Sequence, residues 1–195
     1  MTKRNPQNTW ILVLGAIVLV LMVIGTITLD PIVVPVFGLV RAAAVTGYIC
    51  VFLAVVSSNY MRELTRYFGR PFVRIHHIAS LTALVALTIH PITVVLTWKM
   101  PALFIPSLNT PQAFVFWLLV ITALTAFFRK AIGRNWKYVH WANYLVFLLA
   151  TLHAQTLGAN FRHLGIRIVS ILMALVVTFL FVWKRTAKRR RRSAR

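Results

Sequence analysis

Residues 72–98, FVRIHHIASLTALVALTIHPITVVLTW, decide how this chain is read. Between Ile75 and Trp98 there is no Lys, Arg, Asp or Glu, yet the run holds three histidines. A helix rises about 1.5 Å per residue, so this run is long enough to cross the roughly 30 Å hydrocarbon core of a bilayer. It lacks the apolar/polar alternation of a membrane-barrel strand. The expectation is a membrane-crossing helix that carries imidazoles into the apolar layer.

Five further apolar runs flank it, at residues 10–29, 36–57, 112–128, 136–157 and 164–183. The chain has 195 residues, 59% of them hydrophobic and 12% charged, with a mean hydropathy of +0.79. Six spans of about 20 residues fill roughly 120 positions, leaving short loops and no room for a second, soluble domain. The sequence therefore predicts an all-α integral membrane protein, a six-transmembrane-helix bundle. The first run follows Lys3 and Arg4 as the core of a signal peptide would. Its 20 apolar residues and the break at Asp30, Pro31 and Pro35 point instead to a retained helix. Cys50 is the only cysteine, which excludes an intrachain disulfide and a Cys-based zinc or iron–sulfur site.

The charge is 22 Lys+Arg against 2 Asp+Glu, a net +20. Alone it would suggest a nucleic-acid partner; in a chain whose main solvent is lipid it reports orientation, and no nucleic acid is expected. Threaded through six crossings, one side receives Lys3 and Arg4, then Arg62, Arg66, Arg70 and Arg74, then Arg129, Lys130, Arg134 and Lys137, then eight more in the tail. The other side receives Arg41, Lys99, Arg162 and Arg167. The positive-inside rule makes the first side cytoplasmic, giving a multi-pass plasma-membrane protein with both termini inside. Residues 1–9 form a cytoplasmic N-terminus, 10–183 the transmembrane domain and 184–195 a basic tail that binds anionic lipids at about 1 kcal/mol per basic residue. Trp10, Trp136 and Trp183 fall at the inner interface, and Trp98 and Trp117 at the outer one. Spans three and five, 72–98 and 136–157, then run in the same direction.

Those two spans carry the chemistry. His76 and His90 stand 14 residues apart on span three, and His140 and His153 stand 13 apart on span five. The separations correspond to about 21 and 20 Å of helix, so each helix offers an imidazole near either side of the membrane. In parallel helices the levels match, His76 with His140 on the cytoplasmic side and His90 with His153 on the outer side. A single intramembrane histidine often serves only as a helix-packing hydrogen-bond partner. Two matched pairs stacked across the bilayer are what two bis-imidazole haem irons need. Fourteen residues turn a helix through about 1400°, about 40° from a whole number of turns, so His76 and His90 share a face. A 13-residue step ends about 140° out of phase, which makes His77 the weaker partner for His90. The same step separates His140 from His153, an angle that overwinding, tilt or lateral offset must absorb. Pro91 would free the carbonyl of Leu87 and kink span three beside its outer histidine. Zinc or copper would want clustered ligands, and a proton relay carboxylates, but Asp30 and Glu63 are at loop positions.

Two stretches, RPFVRIHHIASLTALVALTIHP at 70–91 and RKAIGRNWKYVHWANYLVFLLATLH at 129–153, resemble the ferric reductase-like transmembrane domain superfamily. It includes ferric-chelate reductases, the NADPH oxidases and the bacterial haem-binding membrane subunit of the periplasmic methionine sulfoxide reductase system. The resemblance covers about 36–157 and implies that the third and fifth helices each give two haem ligands, at spacings of 14 and 13. It makes His76, His90, His140 and His153 the axial ligands, with His77 the alternate to His76. Arg41 is similar to an arginine placed early in the second span of NADPH oxidases, where it would pair with an outer haem propionate or an anionic acceptor. Its other reading is a snorkelling interfacial residue. The Arg-x3-Gly-x2-Trp-x3-His run from Arg129 to His140 resembles the basic turn entering the ligand helix of the bacterial members. Unlike ferric reductases and NADPH oxidases, this sequence shows no Gly-rich dinucleotide fingerprint and no flavin or nicotinamide module.

The expected function is transmembrane electron transfer through one or two b haems, two when all four ligands are used. The donor would be a separate cytoplasmic flavoprotein reductase or a quinol, and the acceptor an extracytoplasmic protein, ferric chelate or dioxygen. Because protein fills both axial positions, the acceptor would be reduced at the haem edge. The chain would be the haem-carrying membrane subunit of an oxidoreductase. A non-catalytic haem-binding or sensing membrane protein is the alternative, and a small transporter a weaker one. Arg162, His163 and Arg167 could dock an anionic partner or form a solvated loop.

Overall fold

The computed structural model describes residue 24 and residues 35–68, 71–106 and 111–193. The apolar run 10–29 lies outside the described residues apart from Ile24, as does the N-terminal segment before it. Every regular element among the described residues is helical. In chain order these are α1 (Pro35–Asn59), α2 (Met61–Phe68), α3 (Pro71–Trp98), a 3-10 turn (Pro101–Phe104), α4 (Pro111–Phe127) and α5 (Arg129–Ile132). They continue with a second 3-10 turn (Gly133–Asn135), α6 (Trp136–His140), α7 (Asn143–Leu157), a third 3-10 turn (Ala159–Arg162) and α8 (Leu164–Ser193). Proline opens α1, α3 and α4, at the first helical position, where its missing N–H costs nothing. Pro91 lies inside α3, and the helix continues past it to Trp98.

Three stretches are long and apolar enough to cross a membrane, Val36–Asn59, Val73–Trp98 and Leu164–Thr186. A fourth arises if Gln112–Phe127 and Arg129–His140, bent by 78° at their junction, are one broken span. The exterior suits a lipid solvent, since large apolar side chains such as Ile78, Leu81, Leu96 and Leu164 face outward. Four of the five hydroxyls within α3 are returned to the helix's own carbonyls: Ser80 donates to His76, Thr88 to Leu84, Thr93 to Ile89 and Thr97 to Thr93. In hydrocarbon, where water cannot satisfy them, that back-bonding removes an unpaired donor.

α1 packs along α3, and the two run antiparallel: Val40 lies by His90, Gly47 by Leu87 and Ser57 by His76. Gly47 permits this approach. A Cβ there would collide with the Leu87 side chain and come within 3.3 Å of the Leu87 backbone nitrogen. The core lies where α1, α7 and α8 meet, around Tyr48, Phe147, Phe161 and Val177. Tyr48 stacks on Phe147 with ring centres 4.8 Å apart and meets Phe161 edge-on at 5.7 Å. Its hydroxyl is 2.9 Å from Thr151 Oγ1, so this buried polar tip is satisfied. At the end of α1, the Tyr144 hydroxyl donates to Asn59 Oδ1 at 2.9 Å, while Asn59 Nδ2 donates to the Val55 carbonyl.

One expected element is corrected. The span expected over 136–157 is not one helix, because a turn at Trp141 and Ala142 separates α6 from α7. There the hydrogen bonds tighten from the α pattern to i→i−3, from Ala142 N–H to the Val139 carbonyl and from Tyr144 N–H to the Trp141 carbonyl. His140 and His153 therefore stand on different helices. Gly133, with φ of 67°, takes the left-handed conformation in the turn just before α6, where a side chain would be strained.

Candidate functional site

α3 carries histidines at two levels, and each meets a different part of the bundle. Near the C-terminal end of α3, His90 faces His153 of α7, with ring centres 6.4 Å apart and planes at 71°. Near its N-terminal end, His76 lines a cavity of about 660 Å³ together with His77 and His140. Asn59, Asn143, Trp136, Tyr144 and Arg185 also border this cavity, which brings α1, α4, α6, α7 and α8 around one space. Its volume is within the roughly 300–1,000 Å³ of cofactor pockets.

For the two α3 histidines, the hydrogen-bond partner fixes which ring nitrogen is free. His90 Nδ1 lies 3.2 Å from the Val40 carbonyl, which can only accept, so Nδ1 carries the proton and Nε2 has the lone pair. His76 Nδ1 is 3.2 Å from Ser57 Oγ. The Ser57 hydroxyl donates its proton to the Ala54 carbonyl at 3.1 Å, so Oγ accepts from His76 Nδ1–H and again leaves Nε2 bare. Both partners belong to α1. Its two ends set the tautomers of both α3 histidines, as partners behind metal-binding imidazoles do.

His140 is held differently. Asn143, one turn further on, places Nδ2 3.2 Å from His140 Nδ1 and 3.0 Å from the His140 carbonyl. Thr122 of α4 lies 2.8 Å from Asn143 Oδ1. In this amide orientation Nδ1 of His140 accepts and its proton sits on Nε2. Exchanging the amide O and N atoms would move that proton to Nδ1 and free Nε2, at the cost of the Asn143 hydrogen bond to the His140 carbonyl, which would then face Oδ1, acceptor against acceptor. Trp136 packs beside the ring, with centres 5.2 Å apart.

His77 is more exposed than His76, their ring centres 5.9 Å apart. Besides the 660 Å³ cavity it lines a smaller one near Phe127. Arg41 directly follows Val40, whose carbonyl holds His90, and is half-buried at that level of α1. The sequence reading missed Ser57, Val40, Asn143 and Thr122. Only Asn143, three residues after His140, sits at a spacing that could have been noticed; the others come from separate helices.

These residues fit the group that two imidazoles would hold. Metal–nitrogen bonds are about 2 Å and a ring centre lies about another ångström behind its nitrogen, so one shared metal puts two centroids about 6 Å apart. The 6.4 Å of His90 and His153 matches that spacing. No three His, Cys, Asp or Glu side chains converge as a metal site among the described residues. Porphyrin ligation asks the protein for two axial donors only. No protein-family model, curated protein or solved structure matches this chain.

Proposed function

We propose that this chain is a six-helix membrane protein of the ferric reductase-like kind that carries single electrons through b-type haem, from a cytoplasmic flavoprotein reductase or quinol to an acceptor outside. Both termini are cytoplasmic in this reading, and His76 and His140 form the inner pair, His90 and His153 the outer. The observation that carries it is the 6.4 Å meeting of the His90 and His153 rings from two different helices. The cavity shared by His76 and His140 at the opposite level supports a second site.

Bound haem b supplies reversible one-electron chemistry. The protein's part is to hold and orient. Val40 and Ser57 keep the Nδ1 protons of His90 and His76 engaged, so each ring presents Nε2 in a fixed orientation. Arg41, one residue from Val40, offers a cation at the outer level for a propionate or an anionic acceptor. Lys137, Lys184 and Arg185 border the inner cavity and offer the same to carboxylates there.

A pyridine haemochrome assay on protein from haem-sufficient cells tests the reading. Two haems per chain are expected, falling to one in His90→Ala and one in His140→Ala. A wild-type chain without haem overturns it.

A further inference from the structure

At the end of α4 the chain turns by 78° and leaves the direction of the preceding apolar helix. The segment 129–140 that follows alternates cations with apolar and aromatic groups: Arg129, Lys130, Arg134 and Lys137 among Ile132, Trp136 and Tyr138. Tyr138 is 66% exposed. Low net hydrophobicity, basic charge and exposed aromatic groups are the chemistry of a segment lying in a membrane interface. At the corner itself, Phe127 and Phe128 are 80% and 52% exposed. Beside them is a cavity of about 400 Å³ lined by His77, Phe127, Phe128, Arg129 and Lys130.

Among the described residues, no acidic side chain lines this corner. The whole chain has two acidic side chains, Asp30 and Glu63, against 22 basic ones, so most of its cations take their counter-charge from outside. A small anion would satisfy Arg129 and Lys130 but make no use of the apolar surface that Phe127 and Phe128 present beside them. An amphiphile with an anionic head satisfies both, its phosphate on the cations and its acyl chain along Phe127, Phe128 and the flank of α4.

We propose that this corner is a binding site for an anionic phospholipid, with Arg129 and Lys130 taking the phosphate and His77 bordering the headgroup. The site lies next to His76, whose ring centre is 5.9 Å from that of His77. It is separate from the basic tail and adjoins the inner cavity, which His77, Phe127 and Arg129 also line.

The test uses the full-length protein in phosphatidylcholine micelles, titrated with dioleoyl phosphatidylglycerol and read by native mass spectrometry. The wild type is expected to retain phosphatidylglycerol in preference to phosphatidylcholine. R129Q/K130Q is expected to bind it about thirtyfold more weakly, about fivefold for each basic residue near an anionic headgroup. R134Q, on the same segment but outside the cavity, should change binding less than about threefold. R129K/K130R keeps both charges and should retain the lipid, showing that loss in the Gln variant is not misfolding. Equal retention of the two lipids, equal loss in R134Q, or displacement by millimolar inorganic phosphate overturns the proposal.

Discussion

The imidazoles of His90 and His153 face each other at 6.4 Å and 71°, one from the C-terminal part of α3 and the other from α7. Removing either leaves a single imidazole opposite an apolar gap. In His153→Ala one haem per chain should be lost, or its spectrum should change from low-spin six-coordinate to high-spin, while the inner site is retained. Haemochrome stoichiometry and the Soret position check this. If His153→Ala keeps two low-spin haems, the outer pair is misassigned.

His76 depends on a hydroxyl that a mutation can remove, whereas His90 depends on a backbone carbonyl that it cannot. Ser57→Ala takes away the acceptor of His76 Nδ1–H and leaves that ring free to rotate or change tautomer. Partners behind a metal-bound imidazole are worth about 10–100-fold in affinity. The inner haem should therefore bind at least about tenfold more weakly in Ser57→Ala, with the outer haem unchanged. Haem titration of the stripped protein checks this, and Ser57→Thr, which keeps the hydroxyl, should restore affinity.

The two histidine pairs differ in how legible they were. His76 and His90 lie on an unbroken helix, so counting 14 residues gave their common face. His140 and His153 missed the same count by about 140°, and the count assumed one helix where the structure has two. The chain instead tightens at Trp141 and Ala142, with no proline or glycine at those positions to signal it. Ser57 and Val40 were invisible for a related reason, since their importance comes from a neighbour on α3. Of the five spans read from hydropathy that fall on described residues, three stand as long apolar helices, and the bent pair Gln112–Phe127 and Arg129–His140 makes a fourth if it is one broken span. The 15-residue α7 is short because its expected first turn belongs to α6.

Gly47 sits midway between the two α1 groups that hold His90 and His76, and it sets how closely α1 approaches α3. Gly47→Leu forces the Leu87 side chain aside and pushes the helices apart. Overpacking of this kind costs about 1–3 kcal/mol. Both Nδ1 hydrogen bonds should lengthen together, so the variant should unfold more easily and lose haem from both sites. Leu87→Ala in the same chain makes room for the added side chain and should recover most of the loss, a coupling that a double-mutant cycle measures. Equal losses in the single and double variants would show that the contact does not set the helix spacing.

Lys99 ends α3 in a left-handed conformation, φ 53°, with Met100 N–H reaching back to the Val95 carbonyl. This loop and the 3-10 turn before α8 follow helices that carry the outer histidines, whereas Arg62 and Arg134 lie near the inner level. In the six-span reading Lys99 and Arg162 are outside, and Arg62 and Arg134 are inside. All four side chains are exposed, so each can report its side of the membrane. In a Cys50→Ser background, K99C and R162C should react with a membrane-impermeant maleimide on intact cells. R62C and R134C should react only after the membrane is opened. The opposite pattern would invert the protein and exchange inner for outer haem. A pattern in which Arg62 and Arg134 fall on different sides would make the bent pair at Phe128 a re-entrant loop, and α3 and α7 would no longer be parallel spans.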